Sequence, residues 1–160
     1  MKKKPTKLVK FISYDGIIEP IGQSQVLSYV KKLSKFYSIK LVSYEKNKDL
    51  KIKSNVEEIK KELLELNILW KPLKYHQYLP IIGTIHNIFE GLIDNIVDLI
   101  RKKIIFFHIR GPLPGLLIIP FINLFKIKFI FDMRGFWADE KHDRLGWGEK
   151  SYKYKFFKKV

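Results

Sequence analysis

The side chains best suited to chemistry in this sequence come directly after short apolar runs. Asp15 follows the first run, His108 and Arg110 follow a later one, and Asp132 follows the last. A histidine exchanges a proton near neutral pH, an arginine holds a phosphate or an acidic sugar, and a carboxylate accepts hydrogen bonds or acts as a base. These residue types indicate a site for hydroxylated and anionic groups. The alternative for His108 is a structural histidine at a strand end.

Residues 132–140 form the densest group of such side chains. Asp132 and Arg134 open it, and two aromatic and two acidic residues follow: Phe136, Trp137, Asp139 and Glu140. Aromatic faces pack against sugar rings, and carboxylates accept hydrogen bonds from sugar hydroxyls. In the alternative interpretation, Asp132 pairs with Arg134 to fix the loop and the aromatic residues fill the core.

The loop 15–25 leads into a helix. A helix N-terminus offers free N–H groups and a positive dipole end, which suit a phosphate, and Gly22 would let a ligand approach the backbone. The loop has neither the dinucleotide pattern G-x-G-x-x-G nor a P-loop. An ordinary turn glycine followed by a polar helix cap is the alternative interpretation.

The elements that position these residues alternate between strands and helices. Helical spacing of apolar residues lies between the strands, and this alternation predicts an α/β, Rossmann-like parallel sheet with helices on both faces. The predicted strands are 8–14, 39–44, 68–70, 104–107 and 127–131. Ligands of such sheets bind at the carboxyl ends of the strands. We therefore expect the loops after the first, fourth and fifth strands to meet at one edge.

The third helix has the clearest periodicity of the chain. Its predicted apolar face comprises Ile85, Ile88, Phe89, Leu92, Ile93, Ile96, Val97 and Ile100. Asp94 and Asp98 lie on its polar face, which we expect to be solvated. His76 and His86 have no partners at an evident ligand spacing, so we expect no metal site there.

Composition limits the classes of function. The chain has 160 residues, no cysteine and a formal net charge of +15, so disulfides and cysteine-ligated metals are excluded. A basic surface suits nucleic acid, anionic lipid or phosphorylated ligands. Lysine is scattered along the chain rather than gathered on an aromatic face, so we expect no nucleic-acid partner. No apolar run is long and uncharged enough to span a membrane.

Three segments of this sequence resemble motifs of bacterial family 4 glycosyltransferases. The segment 15–27, with Asp15-Gly16 followed by EPIGQSQVL, is similar to their DPLGQSQVL segment. Residues 129–140 are similar to their FIFDMRGFWADE segment, and residues 108–111 resemble their HxRG strand end. Order and spacing agree as well, and the similarity extends over nearly the whole chain.

The resemblance implies the N-terminal, acceptor-side half of a GT-B fold. It implies a hexosyltransferase-like enzyme that transfers sugar with retention, with no metal and no other cofactor. Catalytic roles are implied for His108, Asp132 and Arg134, and a position facing the donor diphosphate for Gly22 and Gln23. The implied acceptor-binding residues are Asp15, Arg110, Phe136, Trp137, Asp139 and Glu140.

The implied partners are a nucleotide-sugar donor and a glycan or lipid-linked acceptor. We expect residues 1–160 to be a single domain that ends in mid-helix, because Tyr152, Phe156 and Val160 keep helical spacing without a stop signal. The donor-binding domain is then missing, and we expect the chain alone to be inactive. A non-catalytic acceptor-binding subunit, complementing a separate donor half, is the alternative. We expect a cytoplasmic location with peripheral contact to the inner membrane face, as polysaccharide biosynthesis would require.

Overall fold

A computed structural model describes residues 8–76, 80–101, 104–133, 142–143, 148, 150–152 and 155. Five parallel strands form one sheet in the order β3-β2-β1-β4-β5. The strands are β1 Leu8–Ser13, β2 Ser38–Lys46, β3 Ile68–Tyr75, β4 Ile104–Arg110 and β5 Phe129–Asp132. Because β1 and β4 are neighbours and the strand order reverses there, their carboxyl ends form the crevice in which such sheets bind ligands.

Helices connect the strands and cover both faces of the sheet, which confirms the predicted α/β class. They are α1 Pro20–Gly22, α2 Ser28–Leu33, α3 Asn47–Leu50, α4 Lys53–Glu65, α5 Pro80–Ile100, α6 Pro112–Leu116 and α7 Ile119–Phe125. A π-helical turn, Gln23–Leu27, joins α1 to α2. Helices α2 and α4 pack with Phe11 and Leu41 on one face, and α5 and α7 pack with Val42 and Ile109 on the other.

Three strands are longer than the sequence predicted, and β2 extends to Ser38 at one end and to Lys46 at the other. β3 continues from Trp70 through Pro72 to Tyr75; a proline is tolerated there because β3 is an edge strand, where a missing N–H costs little. β4 continues to Arg110, so His108 lies within the strand rather than after it. This one difference changes the surroundings of His108.

Helix α5 is rotated about its axis from the expected orientation, so only part of its predicted apolar face lies against the sheet. Of the predicted apolar face, Ile88 and Leu92 pack against the core, whereas Ile85, Phe89 and Ile100 are 60%, 61% and 74% exposed. Asp94 and Asp98, expected in solvent, are buried. No helix in the described part of the chain is long and apolar enough to cross a bilayer.

The strands beneath α5 explain this orientation. Lys10 on β1 and Lys40 on β2 are neighbours in register and are buried. Lys10 Nζ lies 2.6 Å from a carboxylate oxygen of both Asp94 and Asp98, and Lys40 Nζ lies 2.9 and 2.6 Å from them. We call Lys10, Lys40, Asp94 and Asp98 the buried ion cluster. A buried charge needs a partner of opposite sign, so the two lysines require the acidic face of α5.

Candidate functional site at the carboxyl edge of the sheet

Arg110 joins the loops at the carboxyl edge of the sheet. Its Nη1 donates to Asp132 Oδ2 at 2.6 Å, and its Nη2 donates to Gln25 Oε1 at 2.7 Å. Its Nε lies 4.0 Å from Asp15 Oδ2. We call Asp15, Gln25, Arg110 and Asp132 the edge cluster. The predicted meeting of the segments after β1, β4 and β5 is confirmed.

The end of β4 fixes the position of Arg110. Arg110 and Asp132 are register partners on β4 and β5, and the Gly111 N–H donates to the Asp132 carbonyl at 3.0 Å. Gly111 has φ +89°, which glycine adopts far more readily than other residues. The chain thereby leaves the strand and enters α6 at Pro112, a position in the first helical turn where proline is tolerated.

Glu45, at the end of β2, holds the loop after β1. Its side-chain oxygens accept the Ile17 N–H at 2.8 Å and the Ile18 N–H at 3.3 Å, and Ser43 Oγ donates to it at 2.6 Å. Burial raises the pKa of Glu45, and these hydrogen bonds oppose the rise. A Cβ on Gly16 would lie 2.4 Å from Glu45 Oε2, so only glycine allows the loop to lie this close to the carboxylate.

Gly22 and Gln23, which the sequence placed toward a donor diphosphate, support the loop in this structure. Gly22 is buried, and a Cβ there would lie 1.8 Å from the Gly16 carbonyl oxygen. Gln23 is exposed, and its Nε2 donates to the Ile18 carbonyl at 3.0 Å. Both residues tie the loop to the helix that follows it. Their role toward the donor stays a prediction.

The π-helical turn after Gly22 carries Gln25 toward Arg110. Such turns are rare and are found frequently at functional sites. Here the turn lies within a continuous helical segment, and the Ser28 N–H, at its end, donates to the Gln23 carbonyl. The side chain that reaches the guanidinium therefore comes from an irregular turn of the helix.

His108 lies below the edge cluster rather than in it. It is 5% exposed, and its ring centroid lies 4.5 Å from that of Phe11 and 5.3 Å from that of Tyr29. Its Nδ1 is buried without a hydrogen-bond partner among the described residues. Burial lowers the pKa of His108, although the nearby Asp132 charge opposes this and Arg110 adds to it. These surroundings favour the neutral form of the imidazole, and the catalytic role of His108 stays a prediction.

The edge cluster is accessible from solvent. The side chains of Asp15 and Asp132 are 39% and 34% exposed, whereas that of Arg110 is 12% exposed. Carboxylate and amide oxygens around one guanidinium can accept hydrogen bonds from hydroxyl groups and hold them in fixed directions. The other predicted site residues lie outside the described part of the chain: Arg134, Phe136, Trp137, Asp139 and Glu140.

Sequence reasoning missed three residues of this region as site residues. Gln25 binds Arg110, Glu45 holds the first loop, and Ser43 accepts a hydrogen bond from Trp70 Nε1 at 2.8 Å while donating to Glu45. For Ser43 and Glu45, the available signal was a polar residue within an otherwise apolar strand, because a buried polar group needs a hydrogen-bond partner.

Comparison with known proteins supports the fold. The C-terminal domain of a hydrogenase from Pyrococcus furiosus is similar in structure, with a TM-score of 0.51 and 14% identity, over 83% of this chain and 94% of that domain. At this identity the likeness shows a shared fold and carries no functional argument. No protein-family model and no curated protein matches the chain.

Proposed function

We propose that this chain is the acceptor-side domain of a nucleotide-sugar-dependent glycosyltransferase. The observation that carries the proposal is the edge cluster, because Arg110 bridges the three segments whose sequences resemble the motifs of family 4 glycosyltransferases. A binding site for an acceptor glycan needs hydroxyl-binding oxygens at a ligand crevice, and Asp15 and Asp132 provide them there.

The proposed reaction is a substitution at the anomeric carbon of the donor sugar. The bond from this carbon to the nucleoside diphosphate breaks, a bond to an acceptor hydroxyl oxygen forms, and the hydroxyl proton leaves to a base. Asp15 and Asp132 would orient the acceptor hydroxyls, and Arg110 would keep both carboxylates in place. Charge on the departing diphosphate requires cationic or N–H donors, which a donor-binding half would supply.

Acceptor binding gives the most direct test. The purified chain is applied to an array of bacterial surface glycans and lipid-linked oligosaccharides, together with Arg110→Gln and the control Lys60→Gln. Lys60 lies on the exposed side of α4 and, among the described residues, forms an ion pair with Glu57 alone, at 2.9 Å. We expect a subset of glycans to bind the parent chain and the control. Binding of these glycans should be at least about tenfold weaker in Arg110→Gln, which corresponds to the loss of one hydrogen bond to a charged group. Equal binding by all three proteins would contradict the proposal.

Turnover separates the enzyme from the alternative of a non-catalytic subunit. Release of nucleoside diphosphate is measured with a panel of sugar nucleotides and the glycans that bind. Release that depends on both donor and glycan supports transfer by this chain. Glycan binding without release, restored by adding a donor-binding half, supports the complementing subunit.

We also propose peripheral contact with an anionic membrane, which would bring the chain to a lipid-linked acceptor. The net charge of +15 favours anionic lipid by about 1 kcal/mol for each lysine near the surface. The exposed apolar residues of α5, including Ile85 and Phe89, offer a surface that can enter the headgroup region. We expect sedimentation with anionic vesicles and release by salt; equal sedimentation with neutral vesicles would contradict it.

A further inference from the structure

We infer that His76, His86 and Glu90 form a binding site for a divalent transition-metal ion, with zinc as its representative. None of these residues belongs to the edge cluster, and from the sequence we expected no metal site at His76 and His86. One ligand atom from each of the three lies within 4.8 Å of the other two. Two imidazoles and a carboxylate are ligands that zinc accepts, with water completing a four-coordinate site.

His76 is held in place by Asn87. The Asn87 Oδ1 lies 3.0 Å from both the His76 backbone N and the ring Nδ1. A backbone N–H can only donate a hydrogen bond, so the Asn87 atom that accepts it must be the amide oxygen. The neighbouring Nδ1 must then carry a proton to share that oxygen, and in the neutral ring the lone pair lies on Nε2. A carbonyl that orients a histidine in this way is the usual second layer of a metal site.

Asn87 is itself fixed by two tyrosines. Its Nδ2 donates to Tyr14 Oη at 2.8 Å, and its backbone carbonyl accepts from Tyr44 Oη at 2.7 Å. Tyr44 approaches this closely because Gly91 has no Cβ, which would lie 2.4 Å from the Tyr44 oxygen. The fully buried Asn87 therefore gives His76 a rigid support.

His86 and Glu90 complete the site from α5. They are four residues apart and so share one side of the helix, and His86 Nε2 lies 3.4 Å from Glu90 Oε1. The other carboxylate oxygen, Oε2, is buried without a hydrogen-bond partner in the described residues. A buried carboxylate oxygen without a donor is costly, and a cation would satisfy it.

The two imidazole rings lie parallel, with centroids 4.0 Å apart and planes inclined by 12°. Ligand atoms around tetrahedral zinc are about 3.3 Å apart, given bonds of about 2.0–2.1 Å. The lone pairs of stacked rings lie in parallel planes, so the His86 ring must turn for both imidazoles to reach one ion. The His86 and Glu90 side chains are 43% and 34% exposed, which leaves room for this rotation and for closing the remaining distance. Calcium and magnesium are disfavoured because they prefer oxygen ligands.

Calorimetric titration with zinc chloride tests the site on tag-free protein stripped of metal. We expect one zinc ion per chain. His86→Ala should weaken zinc binding by more than about 100-fold and Glu90→Gln by at least about tenfold. Both variants alter a direct ligand, and substitution of residues that merely orient the ligands already weakens metal binding by about 10–100-fold. His142→Ala, which removes a histidine outside the cluster, is the control and should bind as the parent chain does. Absence of zinc binding, or equal binding by His86→Ala and the parent chain, would overturn the inference.

A spectroscopic measurement keeps the test independent of mutation. Nitrogen-15 spectra of the imidazole rings should show His76 as the Nδ1–H tautomer before metal is added. Zinc should then shift the His76 Nε2 resonance and a His86 ring nitrogen, and leave His108 and His142 unchanged. Shifts confined to other histidines would place the metal elsewhere and contradict the site.

Discussion

Two groups of charged side chains in this domain use the same chemistry in different surroundings. In the buried ion cluster, Lys10 and Lys40 each contact Asp94 and Asp98, deep between the sheet and α5. In the edge cluster, Arg110 contacts Asp132 and Gln25, and its Nε has no hydrogen-bond partner among the described residues. The first group is closed to solvent, and the second exposes its carboxylates.

The difference separates a structural role from a candidate functional one. Removing one member of a closed, buried group leaves its partners charged and without water, which costs folding free energy. Removing a member of an open group lets water replace it, so the fold loses little and a ligand loses a contact.

The largest expected effect is that of Asp94→Ala. Asp94 accepts from Lys10, Lys40 and Lys71, and its loss leaves fully buried Lys10 with fewer counter-charges. We expect the free energy of unfolding to fall by about 3–5 kcal/mol, measured by urea denaturation. A loss below about 1 kcal/mol would mean that water reaches the lysines.

Acid should destabilise the domain through the same residue. Burial alone would raise the pKa of Asp94, but the Lys10 charge and the hydrogen bonds from Lys10, Lys40 and Lys71 hold that pKa far below its usual range. A lowered pKa gives stability that is present above the unfolded value, about pH 4, and is lost as the pH falls toward the folded value. The unfolding free energy should therefore fall below about pH 4, by up to about 1.4 kcal/mol per pH unit from this group.

The variant Asp94→Asn provides the control for the acid measurement. It has no proton to gain, so its unfolding free energy should be lower at neutral pH and depend less on pH below about 4. Parallel pH curves for the two proteins would assign the acid sensitivity to other carboxyl groups.

Glu45→Gln should have an intermediate effect, because Glu45 is buried but supports the edge cluster. The amide accepts with one oxygen only and turns an NH₂ group toward the Ile17 or Ile18 N–H. We expect a loss of about 1–3 kcal/mol and faster hydrogen exchange at these two backbone amides. Unchanged exchange at Ile17 and Ile18 would show that the loop is held by other contacts.

Arg110→Gln should have the smallest effect on folding. Its partner Asp132 is 34% exposed, so we expect a loss of about 1 kcal/mol or less in the unfolding free energy. The variant should nevertheless lose glycan binding. If Arg110→Gln destabilised the domain as much as Asp94→Ala, the edge cluster would be a structural group like the buried one.

The strand pattern made the sheet and its ligand edge predictable. Runs such as 104–107 are apolar on both faces, which is typical of parallel strands covered by helices, and strand ends place Asp15, Arg110 and Asp132 together. The predicted end of β4 was wrong, because a polar residue such as His108 after an apolar run usually indicates that the strand has ended. Its burial beside Phe11 and Tyr29 depends on residues distant in sequence.

The orientation of α5 shows the limit of pattern reading. Its sequence has two clearly different faces, and the apolar one was expected to face the core. The structure turns Asp94 and Asp98 inward, because Lys10 and Lys40 on the strands below are buried and require them. A periodic pattern describes a helix alone, whereas its orientation depends on what the neighbouring element presents.

The sequence by itself determined the α/β class, the alternation of elements and the edge at which the polar residues gather, because these follow from local periodicity and from where strands end. The tertiary structure decided which charges are closed and which are open, how Gln25 and Glu45 hold the edge, and that His76 lies beside His86 and Glu90. These are contacts between residues far apart in the chain. Their energies depend on burial, which no local stretch of sequence encodes.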